Sequence, residues 1–168
     1  LWENTLAESI EPPAAYPFGI RMTDWLRENL EKSLALPAPA TDWLMMLYGA
    51  IQVFDDVADG DIVKRQDLNA TIWNTLVGMN RNIFWIENAQ TLTPVVATMI
   101  LKWQASDQAE RAGRADARSF VWRAGFYDVV LMTVALCYGS NHATEVASEV
   151  MAIYGEKLED YLMEFNHA

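Results

Sequence analysis

From Trp43 to Phe54 the only strongly polar side chain is Gln52. A run this apolar on all sides predicts a helix buried nearly all round, the central member of a bundle. Thr41 stands as its N-cap and Gly60 as its C-cap, so the expected helix covers 41–59. Before it, Trp25, Leu26, Leu30 and Leu34 mark one face of a helix from Thr23 to about Leu36, which Pro37 and Pro39 stop. After it, Ile72, Trp73, Leu76 and Met79 mark a helix over 68–87, with Gly78 as a place for a break. Thr93 and Pro94 form an N-cap and N1 pair for a helix that ends at Gly113. Asp116 opens a fifth helix that Gly139 ends, and Ser140 or Asn141 caps a sixth that continues to the last residues. Residues 1–22 hold Pro12, Pro13, Pro17 and Gly19 and read as an irregular arm, its Trp2, Tyr16 and Phe18 laid along the domain. The expected fold is therefore all-α: one domain over 1–168, an up-and-down bundle of about six helices.

Composition sets limits on what such a bundle does. With 52% hydrophobic and 21% charged residues the chain can build a real core. Seven Trp and eight Met predict either a core of large, adaptable side chains or an apolar pocket. A net charge of −11 excludes a nucleic-acid backbone as partner, since the Lys/Arg footprint it requires is missing. A small phosphorylated ligand held through metal ions remains compatible with that charge, as does a homodimer. The single Cys137 excludes an intramolecular disulfide, and two His with one Cys make no structural zinc site. No apolar run reaches the ~18–20 residues of a membrane span and no signal peptide is visible, so a cytoplasmic protein is expected.

The chemistry concentrates where the central helix ends. Asp55 and Asp59 are i,i+4, and Asp56 and Asp59 are i,i+3, so three carboxylates project around one patch. They repel one another, and the C-terminal end of the macrodipole adds to the penalty. A hard divalent cation reverses it, because carboxylate oxygens are the ligands Mg2+ takes. The alternative is a solvated acidic helix end running into the Gly60 cap.

The run Phe54-Asp55-Asp56-Val57-Ala58-Asp59-Gly60-Asp61, followed by Lys64-Arg65 and Thr71, resembles the first aspartate-rich region of the trans-prenyl diphosphate synthases of the terpenoid-synthase superfamily. The resemblance places Asp55, Asp56 and Asp59 on the three motif aspartates, as catalytic and metal-binding residues, and Lys64 and Arg65 on the basic pair. It implies a terpenoid-synthase-like core, Mg2+ as cofactor and a small-molecule diphosphate, isoprenoid-like, as substrate. Glu159-Asp160-Tyr161-Leu162 resembles the start of the family's second motif, with Met163 where its third aspartate belongs. Together with the up-and-down chain order, the resemblance implies Glu156 and Asp160 as further metal ligands, facing the first motif across the mouth of an inter-helical cavity. The family's Gly-Lys-Arg region has no counterpart before Thr41, and its Lys-Thr pair none on the fifth helix.

Alternation of helix direction sends other polar groups to the same end: Asp107 and Glu110 from the fourth helix, and Arg114, Arg118 and Arg123 from the start of the fifth. Arg65, Arg118 and Arg123 are the candidate substrate-binding residues. Arg123 and Asp128 are the only charges between Phe120 and Tyr138, so each is expected to be buried against a partner, a structural ion pair being favoured over a ligand. Asn141, Glu145 and Glu149 are read as capping and solvated groups, and His142 and His167 as groups without a chemical role. Two other function classes stay open. In an all-α nucleotide pyrophosphatase, Asp56 with Asp59 and Asp107 with Glu110 would hold Mg2+. In a non-catalytic helical interaction protein, the acids are solvated surface.

Overall fold

The computed structural model of the chain describes residues 20–166, with side chains from 23 to 165. Most of the expected irregular arm over 1–22 lies outside the described residues. All described secondary structure is helical. Helix α1 covers Ile20–Glu28 and passes into a π-helical turn, Asn29–Ser33. The central α2 covers Ala38–Asp59. Helix α3, Arg65–Trp73, continues through a second π-helical turn, Asn74–Gly78, and a last turn, Met79–Arg81. Then follow α4 (Ile83–Arg111), α5 (Ala117–Arg123), α6 (Phe126–Tyr138), α7 (Ser140–Glu145), α8 (Ala147–Ala152) and α9 (Leu158–Asn166).

The sequence pattern located the central helix, and burial explains why. Trp43, Leu44, Leu47, Ala50 and Val53 of α2 are buried, and Trp43 stacks on Trp85 of α4 with ring centroids 5.3 Å apart and an 11° interplanar angle. Around α2 pack α1, α3, α4 and α6, with Leu26, Leu30, Leu92, Val129 and Val130 completing the core. Gly60 ends α2 at φ +81°, its N–H reaching back to the carbonyl of Val57 while Asp61 N–H reaches that of Asp56 at 2.8 Å. This left-handed cap suits glycine because a Cβ is strained there.

Several helix boundaries differ from the expectation. Thr41 is not the N-cap of α2: the helix begins at Ala38 after Pro37, and Thr41 is buried inside its first turns. Pro94 does not start a helix but sits within the continuous α4. The break comes at Asn82, whose Oδ1 accepts from Trp85 N–H at 3.2 Å while its Nδ2 donates to the Pro39 carbonyl at 2.9 Å. The fifth helix is two, α5 and α6, meeting at a 49° bend, and the sixth is three, α7, α8 and α9. Asp116 does open α5, through a capping box in which its Oδ1 accepts from Ser119 N–H and Ser119 Oγ accepts from Asp116 N–H. Among the described residues no single helix is long and apolar enough to cross a membrane.

Candidate functional site

Four segments meet where α2 ends. Helix α2 brings Asp55, Asp56 and Asp59; α4 brings Trp103, Asp107 and Glu110; α5 brings Arg123; and the stretch from Tyr154 into α9 brings Glu156 and Tyr161. Arg123 is the hub. Its side chain is only 18% exposed, with Nη2 3.7 Å from Asp55 Oδ2 and Nη1 3.6 Å from Glu110 Oε1. Its guanidinium carbon lies 5.4 Å from the ring centroids of both Tyr161 and Phe165, within cation–π range. Burial pulls the pKa of Arg123 down, but Glu156, Glu110 and Asp55 outweigh it and the net shift is upward. Arg123 Nη1 is buried and makes no hydrogen bond with a described residue, so its two ion pairs are electrostatic contacts without close directional bonds.

Two further bonds fix the acids. Trp103 Nε1 donates to Asp55 Oδ1 at 2.9 Å. The Tyr161 hydroxyl donates to Glu110 Oε1 at 2.7 Å and lies 2.6 Å from Ser119 Oγ, while Ser106 Oγ donates to the Ser119 carbonyl below. Burial, countered in part by Ser119 and reinforced by Glu110, pushes the Tyr161 phenol up to about 12, so it is a donor at neutral pH. Burial likewise raises Glu110, against the pull of Tyr161 and Arg123. Asp107 is held by Arg111 on its own helix, Nη2 to Oδ2 at 2.7 Å.

Asp56 and Asp59 differ from Asp55. Both are exposed, and no hydrogen bond or ion pair joins their carboxylates to a described residue. The pKa of Asp56 is raised by partial desolvation and then by Asp61, Asp55 and Asp67; that of Asp59 is raised by desolvation and then by Asp55, with Arg123 opposing.

The other candidate residues divide. Glu156 accepts from the Tyr154 hydroxyl and is the acid that acts most strongly on Arg123, so it belongs to the cluster. Asp160 is exposed and makes no side-chain bond to a described residue; its neighbour Tyr161 is the side chain that turns inward. Arg65, the first residue of α3, is exposed and unpaired among the described residues. Arg118 is 89% exposed and pairs with Asp116 at 2.6 Å. Asp128, the second charge of its apolar run, pairs with Lys102 of α4. Trp103, Ser119 and Tyr161 were not singled out from the sequence as site residues. Trp103, Asp107 and Glu110 stand at i, i+4 and i+7, which marks one stripe of α4 and was the available signal.

No family model, no curated protein and no solved structure matches the chain. Among the described residues no three His, Cys, Asp or Glu side chains converge to hold a metal ion. Mg2+ is usually held by one or two carboxylates with substrate phosphates completing its shell. The unpaired Asp56 and Asp59 are two such carboxylates, three residues apart on α2.

Proposed function

We propose that the end of α2 binds Mg2+ through Asp56 and Asp59 and, through the ion, the diphosphate of a small isoprenoid-like molecule. The observation that carries this reading is the contrast within one motif. Asp55 is occupied by Trp103 and Arg123, whereas Asp56 and Asp59 are exposed, unpaired and raised in pKa by partial desolvation first and then by neighbouring acids, Asp61 and Asp55 at Asp56 and Asp55 at Asp59. Two such carboxylates repel an anion by themselves and attract it once a divalent ion stands between. Arg123, held under Asp55, acts in this reading by orienting the first aspartate rather than by touching the diphosphate. The isoprenoid class rests on the resemblance of the Asp55–Asp61 run.

Thermal shift with Mg2+ alone, inorganic diphosphate alone, both together, farnesyl diphosphate with Mg2+, and a nucleoside triphosphate with Mg2+ tests this. Ion and diphosphate should each strengthen the other's binding, because the coupling is reciprocal. The prenyl compound should stabilise most, and Asp56→Asn should abolish the shift. A preference for the nucleotide would favour the pyrophosphatase reading, which the structure supports less because Asp107 and Glu110 are already engaged by Arg111 and Tyr161. A non-catalytic interaction protein is the second reading. It is favoured by the exposed Leu68, Ile72, Trp73 and Leu76 on α3, and no shift with any ligand would leave it standing.

A further inference from the structure

The other end of α2 carries a concave surface unrelated to the acids. A cleft of about 540 Å³ opens between α1, α2 and the π-helical turn of α3, lined by Arg27, Arg81 and Asn74 together with Met45 and Met46. Asp42, also on its wall, stands thirteen residues before Asp55 on the same helix, so the two sites are about 20 Å apart at ~1.5 Å per residue. Its volume matches that of small-molecule sites, roughly 300–1,000 Å³, although most of the cleft lies open to solvent.

Its electrostatics run against the rest of the protein. The charged lining residues are Arg27, Arg81 and Asp42, two cations and one anion, in a chain whose net charge is −11. Arg27 is already engaged, its Nη1 3.0 Å from both Glu31 Oε1 and Asp42 Oδ1. Arg81 forms no ion pair with a described residue, and neither its guanidinium nor the Asn74 amide has a hydrogen-bond partner among them. Donors without a protein partner therefore line the same cleft as Met45 and Met46.

The absence of a side chain at Gly78 lets Met46 pack close against this wall. Gly78 ends the π-helical turn Asn74–Gly78, and a Cβ there would sit 2.9 Å from Met46 Sδ. Any larger residue pushes Met46 aside. π-Helical turns are rare and cluster at functional sites, and this one lines the cleft. Methionines adapt their shape to varied apolar bodies.

We infer that this cleft binds a small organic anion, its carboxylate or phosphate head on Arg81 and the Asn74 amide and its apolar body on Met45 and Met46. The planar guanidinium fork matches either head in a bidentate pair.

The test uses the full chain labelled with 13C at the methionine methyl groups, in buffer without Mg2+, titrated separately with benzoate, phenyl phosphate and benzylamine. The Met45 and Met46 methyl signals should move saturably with at least one anion and not with the amine, while exposed Met151 of α8 stays fixed. The tighter of the two anions identifies the head. Arg81→Gln should weaken that binding about tenfold, and Gly78→Ala should weaken it with the helical circular dichroism unchanged. Equal response to benzylamine, movement of Met151 in parallel, unchanged affinity in Arg81→Gln, or no saturation below about 10 mM, weaker than ~3 kcal/mol of binding, would overturn the inference.

Discussion

Arg123→Met removes the hub cation while keeping an unbranched apolar side chain in its place. Glu110, whose side chain is 10% exposed, and half-buried Asp55 then lose the charge 3.6 and 3.7 Å away. Breaking a buried ion pair from one side costs ~3–5 kcal/mol when the surviving charge stays buried. Here the two contacts lack close hydrogen bonds and Asp55 keeps its Trp103 donor, so the lower end applies, about 3 kcal/mol including the lost cation–π contact. For a chain of this size that lowers Tm by about 6–12 °C. The cost must depend on pH. Glu110 has a folded pKa above its unfolded value, so its contribution to stability falls as pH rises through that interval. Without Arg123 the folded pKa rises further and the fall is longer, whereas at about pH 4 protonation of Glu110 already removes much of the penalty. Urea unfolding at pH 4 and pH 7 should show the gap between wild type and Arg123→Met widening with pH, and adding Glu110→Gln should recover part of the loss. An equal gap at both pH values, or a gap at pH 7 below about 0.5 kcal/mol, would show that Arg123 is not the counter-ion of these acids.

Tyr161→Phe keeps the ring against Arg123 but removes the donor to Glu110, and should cost about 1–2 kcal/mol in urea unfolding. Equal stability of the two proteins would mean that solvent replaces the phenol at no cost. Pro94→Ala should raise Tm, because α4 runs straight through this position and an interior proline is ~3 kcal/mol worse than alanine in a helix. A fall in Tm would restore the expectation of a helix that begins at residue 94. Gly60→Ala should destabilise by about 1 kcal/mol, since φ there is +81°; a neutral result in thermal denaturation would mean that the cap is dispensable.

Local chemistry made some features legible and hid others. Gly60 and Asp116 could be read because a C-cap glycine and a capping aspartate act within a few residues of themselves. Thr93-Pro94 has the same local form as a helix start, yet Leu92 and Met99 on either side are both buried in the core, and that packing carries α4 through the proline. The break moved to Asn82 because its amide reaches Pro39, 43 positions away, a contact that no local window contains. The same limit applies at the site. The chain order brings Arg123 and the acids to one end of a bundle, but the rotation of each helix decides that Arg123 turns to Asp55 and Glu110 while Arg118 turns to Asp116. Tyr161 facing inward and Asp160 outward follows from that rotation too. On α9 an aspartate ladder would need the inward position that the tyrosine holds.

The bond from the Trp103 indole to Asp55 gives the acid cluster a built-in reporter. Indole N–H protons resonate apart from backbone amides, and the chain has seven tryptophans, so a 15N spectrum resolves this group as one of seven indole signals. The chemical shift of a donor follows the charge on its acceptor. The arrival of a cation beside Asp55 is thus written into a single resonance that needs no label at the carboxylates themselves.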